Sequence, residues 1–136
     1  MIIEFDKPDT KLSPNNKNGR SYFAYRVAKE KAHALAKIIT LQAIGSTTYF
    51  PSDCLRIRFI HPTKRNHDID NSLASAKAHI DGFSEALKID DGYFTTMIIT
   101  KEYQKGVSKM IFEVRDVWFN YSAILFNDGP IYVGCL

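Results

Sequence analysis

The tightest constraint on this chain is a run of six residues, Leu55-Arg56-Ile57-Arg58-Phe59-Ile60, in which apolar and basic side chains alternate. Successive side chains of an extended strand leave opposite faces, so Leu55, Ile57 and Phe59 define a buried face and the two arginines an outer one. Such a strand needs a sheet beside it and an apolar layer over it. The layer lies downstream. From about Asn71 to Leu87, Leu73, Ala76, Ile80, Phe83 and Leu87 recur at intervals of three and four, which predicts a helix with one buried seam.

The flanking sequence completes an α+β pattern. Ile2 to Phe5 reads as a short strand, and residues 9–20 as a polar loop dense in turn formers. Ser21 is positioned to cap a helix running to about Ile44, with Ala24, Ala28, Ala32, Leu35, Ile39 and Ala43 along one stripe. Gly45-Ser46-Thr47-Thr48 stops it. Phe94 to Tyr103 and Ser108 to Trp118 read as two strands, and Gln104-Lys105-Gly106-Val107 between them predicts a hairpin. The expected architecture is a single α+β domain over residues 1–118, a small mixed sheet packed with two main helices. Residues 119–136 read as an apolar extension whose Asn127-Asp128-Gly129-Pro130 turn suggests an extra hairpin.

Composition narrows the class. At 136 residues, 45% of them hydrophobic, the chain has the material for one domain core. No stretch approaches the roughly 18 apolar residues of a membrane span. No basic segment precedes an apolar run near Met1, so a cytoplasmic location is expected. Cys54 and Cys135 alone make neither a disulfide scaffold nor a four-cysteine zinc site, and the four histidines show no metal-ligand spacing, reading as mostly surface residues. The net charge of +3 conceals an uneven layout: residues 7–65 carry +9 and the rest −6. A basic half beside an acidic cluster suits a phosphate backbone held next to a cation.

The acids around the second helix carry the chemistry. Asp68 and Asp70 follow a strand, and if the chain is still extended there both carboxylates leave one face. Asp90 and Asp91 come just past the helix, about 25 Å away along a straight axis. Two carboxylates about 4 Å apart repel by roughly 4 kcal/mol at an effective dielectric near 20, so a converged set holds protons or a cation. An all-carboxylate set with water suits Mg²⁺, with Mn²⁺ able to substitute. The competing reading makes Asp68 or Asp70 a helix cap and Asp90-Asp91 turn residues. Lys77 stands seven residues after Asp70 and four before Asp81, so it either leans back toward Asp70 or forms a surface pair with Asp81.

In order, Pro62-Thr63-Lys64-Arg65-Asn66-His67-Asp68-Ile69-Asp70-Asn71, Lys77, Ile80-Asp81-Gly82 and Leu87-Lys88-Ile89-Asp90-Asp91 resemble the RusA family of Holliday junction resolvases. The loop Leu12-Ser13-Pro14-Asn15-Asn16 is similar to that family's amino-terminal signature. The resemblance covers roughly residues 1–117. It implies a homodimeric, Mg²⁺-dependent endonuclease that nicks opposing strands of a four-way DNA junction. It assigns Asp68, Asp70 and Asp91 as metal-holding catalytic acids and Lys77 as the essential lysine. Arg56, Arg58, Lys64, Arg65, Asn15 and Asn16 are then the expected DNA-contacting residues. Two departures are visible: Ala74 stands where well-known members place the lysine, and Lys64-Arg65-Asn66-His67 replaces a run of arginines.

The alternatives are a non-catalytic protein that binds branched DNA, and a related metal-dependent nuclease acting on another branched or RNA substrate. Retention of all three acids favours the enzyme, because carboxylates beside phosphate give a pure binder only repulsion. An Asp-x-Asp glycosyltransferase would need a far longer chain.

Overall fold

The structure, a computed structural model, describes residues 1–16 and 22–116. Its elements are β1 (Ile2–Asp6), α1 (Tyr22–Ile44), β2 (Pro51–His61), α2 (Ile69–Ala86), β3 (Thr96–Tyr103) and β4 (Lys109–Asp116). Short 3₁₀ turns occupy Thr10–Leu12, Pro14–Asn16 and Asp91–Tyr93. The result is the expected small α+β domain, a four-stranded mixed sheet covered by two helices. Ser21, Trp118 and the extension 119–136 lie outside the described residues.

The sheet order is β1-β4-β2-β3. β2 lies inside the sheet, parallel to β3 on one side and antiparallel to β4 on the other. β3 and β4 therefore do not form the hairpin that their connecting turn suggests. That turn carries Gly106 at φ 76°, a local hairpin signal. The chain instead crosses the end of β2, where the Gln104 N–H donates to the His61 carbonyl at 3.0 Å, and β4 pairs on β2's far edge. The eleven residues of β2 offer both edges to be satisfied, and this outweighs the local turn.

The alternation in β2 is realised as read. Leu55, Ile57 and Phe59 are buried with Ile3 and Phe5 of β1 and Met110, Phe112 and Val114 of β4. The α2 seam closes over them: Ala76, Ile80, Phe83 and Leu87 share this core, with Leu73 packed against it. Phe112 sits edge-on to both Phe5 and Phe83, at centroid distances of 5.0 and 5.3 Å.

α1 spans the expected residues and buries the expected stripe in part, with Ala28 and Ala32 buried and Ile39 packed against the core. Its buried positions are Ala28, Ala32, Ala36 and Thr40, while Leu35 and Ala43 are exposed. The cause is the closeness of α2. A Cβ built on Gly82 would lie 2.2 Å from the His33 carbonyl oxygen, so the two backbones almost touch there. Only an alanine stripe allows that approach, and Leu35, Ile38 and Leu41 are turned outward while Ile39 and Ile44 pack against the core edge.

Candidate functional site

β2 ends at His61 and α2 begins at Ile69, with residues 62–68 looping between them. The amino-terminal loop folds over this end of the sheet. Asp9 fixes its first 3₁₀ turn by accepting from the Lys11 N–H at 2.9 Å. Together the two loops and the first turns of α2 enclose a pocket of about 310 Å³, lined among others by Lys7, Asn15, His61, Asn66, His67 and Asp68. The fold thus brings Asn15 and Asp68 to one cavity. Asn16 ends the neighbouring 3₁₀ turn.

Asp68 occupies the N-cap position of α2, yet its side chain makes no capping hydrogen bond. An N-cap aspartate ordinarily accepts from a backbone N–H one turn on. Here Asp68 Oδ2 accepts instead from the side-chain amide of Asn71, at 3.2 Å, and the carboxylate stays exposed. The capping explanation for Asp68 therefore fails on geometry. Asp70 sits in the first helical turn, where the helix dipole favours a negative charge. The extended stretch stops at Asp68, so the two carboxylates do not share a strand face, and Asp70 is not among the residues lining the pocket.

The later pair lies elsewhere. α2 is 18 residues long, roughly 27 Å at 1.5 Å per residue, and runs back along the sheet to the opposite end of β2. There the Tyr93 hydroxyl donates to the Pro51 carbonyl and the Thr95 N–H to the Asp53 carbonyl. Asp90 performs turn work, accepting from the Gly92 N–H at 3.0 Å. Asp91 opens the adjoining 3₁₀ turn, so its backbone is a helix length from Asp68 and Asp70. One chain does not gather the three acids.

Lys77 donates to Asp81 Oδ1 at 2.6 Å, the i, i+4 surface pair that its spacing allows. Arg56 and Arg58 lie on the sheet face opposite the helices. Arg58 makes a two-pronged contact with Glu102, 2.8 Å at both ends, and reaches Glu113 at 3.2 Å. Arg56 approaches Glu113 at 3.6 Å. Hydrogen bonding to Arg58 holds the Glu102 carboxyl below its usual range. These two arginines are charge-matched within the sheet and do not face the pocket.

The basic groups beside the pocket are different ones. Lys7 lines it, and Arg65 lies exposed in the adjoining loop. Lys101 of β3 donates to Asn66 Oδ1 at 3.2 Å and to the His67 carbonyl at 3.0 Å, pinning the loop. Lys64 lies over the Tyr103 ring, 5.2 Å from its centroid. Lys7 and Lys101 carried no motif in the sequence; only the fold places them here.

Two histidines expected at the surface are buried, His61 and His79, each about 4% exposed. His61 ends β2, where its backbone carbonyl accepts from the Gln104 N–H of the crossing connection. Its ring stacks on that of His67 with centroids 3.8 Å apart and planes 6° from parallel. Burial first, then the charges of His67, Lys7 and Lys101, push the His61 pKa down to about 4. Burial likewise lowers His67, followed by Lys7, Lys101 and Arg65.

Among the described residues, no group of three or more His, Cys, Asp or Glu side chains is placed to hold one metal ion. Mg²⁺ asks for less than such a cage, since it commonly takes one or two carboxylates and fills its shell with water and substrate phosphate oxygens. Asp68 presents one exposed, non-capping carboxylate at the pocket, and Asp70 follows two residues on. No helix among the described residues is long and apolar enough to cross a membrane. No protein-family model matches the chain, and neither does any curated protein.

Proposed function

We propose that the chain is a Mg²⁺-dependent endonuclease acting on branched DNA, of the RusA resolvase type, with its reacting centre at the start of α2. The observation that carries this reading is Asp68: an acid at a helix N-cap that does not cap, exposed at a pocket it shares with Asn15, Lys7 and Asp9, with Arg65 and Lys101 near the adjoining His67. An exposed carboxylate that accepts only from the Asn71 side chain, with Lys7 in the same pocket, suits a site that must hold both a metal and a phosphate.

Asp68 and Asp70 would hold the ion, with Mn²⁺ an acceptable replacement. When bound, it lowers the pKa of a coordinated water and shields the phosphate oxygens. Lys7 and Arg65 offset the charge of the phosphodiester, Lys101 keeps residues 66–67 in place, and the Asn15 amide orients the backbone. Arg56 and Arg58 are left out of the DNA surface because their charge is spent on Glu102 and Glu113. A two-fold homodimer supplies two such sites for paired nicks. It also offers a way for Asp91 to join, by approach from a second copy. The outward stripe of Leu35, Ile38 and Leu41 on α1, each more than 40% exposed, is an apolar surface suited to such association.

The distance between Asp68 and Asp91 within one chain favours a second reading, a protein that binds branched DNA without cutting it. A synthetic four-way junction decides between them, with a linear duplex as control and with Mg²⁺, EDTA or Asp70→Asn protein. Paired nicks on the junction alone, lost with EDTA and in the variant, support the nuclease. Tight junction binding without cleavage in Mg²⁺ or Mn²⁺ supports the binder, and neither binding nor cleavage overturns both.

A further inference from the structure

One side chain of β2 has no part in the pocket. Cys54, the fourth residue of the strand, is disulfide-bonded, and the sequence holds one other cysteine, Cys135. Cys135 lies beyond the described residues, in the apolar extension 119–136. The sheet brings the base of that extension close to Cys54. β4 ends at Asp116, whose register partner is Pro51, three residues before the cysteine. At about 3.3 Å per residue, the chain leaves the sheet roughly 10 Å from Cys54. Nineteen residues then lead from Asp116 to Cys135, enough to go out and return, and Asn127-Asp128-Gly129-Pro130 supplies a reversal on the way.

The strand presents Cys54 suitably. Leu55, Ile57 and Phe59 point into the core, so Cys54 alternates onto the outer face with Arg56 and Arg58. It is half-buried there. On one side it pairs with Thr96 of β3. On the other, the register with β4 slips between Pro51 and Leu55, and this irregularity leaves Cys54 with no β4 residue opposite it. Phe50, just before the strand, is 47% exposed and offers an apolar seat. The extension suits such a seat, since Asp128 is its one charged residue.

We propose that Cys54 and Cys135 form an intramolecular, redox-sensitive clasp that ties the C-terminal extension to the start of β2. The oxidant is a small disulfide of the glutathione class. The thiolate of one cysteine attacks it, forming a mixed disulfide and expelling one glutathione thiolate, and the second cysteine displaces the other. The protein gives up two protons and two electrons, and the oxidant becomes two thiols. A reducing compartment runs the exchange backwards and frees the extension. The clasp stands whether or not the chain is a nuclease.

The test equilibrates the full chain with oxidised or reduced glutathione over a range of protein concentrations. Remaining thiols are then alkylated, and the digest is mapped by mass spectrometry. The oxidised sample is expected to give one linked peptide pair containing Cys54 and Cys135, in a yield independent of protein concentration. The reduced sample should give two alkylated cysteines. Closing a loop of about eighty residues should raise Tm by about 5–15 °C over the reduced protein. Cys135→Ser should melt like the reduced wild type and lose its response to oxidised glutathione. Equal alkylation of Cys54 in both samples overturns the proposal, and so does a Tm that reduction leaves unchanged. A bridge whose yield climbs with protein concentration, running as a dimer on a non-reducing gel, overturns it too by placing the pair between two copies.

Discussion

Gly82→Ala is expected to destabilise the domain although alanine is the better helix former. In an exposed helix interior the exchange gains roughly 1 kcal/mol. Here the new methyl carbon would lie 2.2 Å from the His33 carbonyl oxygen and 3.1 Å from the Lys37 nitrogen, both backbone atoms of α1. Backbone in the middle of a 23-residue helix cannot step aside locally, so α1 and α2 must separate by about 1 Å to restore an ordinary contact. Overpacking of that kind costs about 1–3 kcal/mol. The separation also loosens the alanine stripe against α2 and stretches the bridge from Glu85 to Lys37 and His33, now 2.7 and 2.8 Å.

Set against the propensity gain, a net loss of up to about 2 kcal/mol remains. In a domain of this size that lowers Tm by up to roughly 10 °C. Urea denaturation and a thermal melt measure it directly. A second readout is local: hydrogen bonding from Lys37 holds the Glu85 carboxyl below its usual range, and its pKa should climb back in the variant. A Tm that rises, or a Glu85 titration that does not move, would show that the helices are not in backbone contact at Gly82. The position of α2, and hence of Asp68 at its start, would then need another explanation.

Three further outcomes follow from the same geometry. Lys88 closes α2 at φ 57°, with the Ile89 N–H donating to Ser84 and its own N–H to Glu85, so Lys88→Gly should stabilise by about 0.5–1 kcal/mol in urea titrations. His61 resists protonation when folded, with a pKa near 4 against 6.5 unfolded. Its contribution is therefore complete above pH 6.5 and is lost as pH falls toward 4. The loss amounts to about 2–3 kcal/mol by pH 4.5, and His61→Gln should flatten that part of the stability profile. Arg58→Met leaves Glu102 and Glu113 without their shared guanidinium and should cost about 1–2 kcal/mol at pH 7. Because hydrogen bonding to Arg58 lowers the Glu102 pKa, that cost should shrink as pH falls through the carboxylate range, and denaturation at pH 7 and pH 4 compares the two.

What was legible in the sequence was whatever one element decides alone. The alternation of Leu55 to Ile60 and the seam from Leu73 to Leu87 each state a buried face, and both faces are buried as stated. The stripe on α1 holds at Ala28, Ala32 and Ile39 and departs at Leu35, because Leu35 and Ala36 both fit a helical period. Only the closeness of the partner helix at Gly82, invisible in α1 itself, selects the smaller residue. The β3–β4 hairpin failed for the same kind of reason. Gly106 announces a turn correctly, but whether the strands on either side pair depends on β2, more than forty residues earlier in the chain.

The candidate site divides along the same line. A helix of known length sets the distance between its ends, so the separation of Asp68 from Asp91 was already contained in the roughly 25 Å that sequence arithmetic allows. The role of Asp68 was not. A cap and a ligand use the same residue type at the same position, and the difference lies in where the carboxylate points. Here it forgoes the backbone N–H groups of α2 for the Asn71 side chain, in a pocket closed by the amino-terminal loop. If that choice matters to function, Asp68→Asn should leave Tm nearly unchanged, because no cap is lost, while abolishing cleavage of a four-way junction. A fall in Tm of several degrees would mean that Asp68 serves the helix after all, and the case for a reacting centre at the start of α2 would lose its main support.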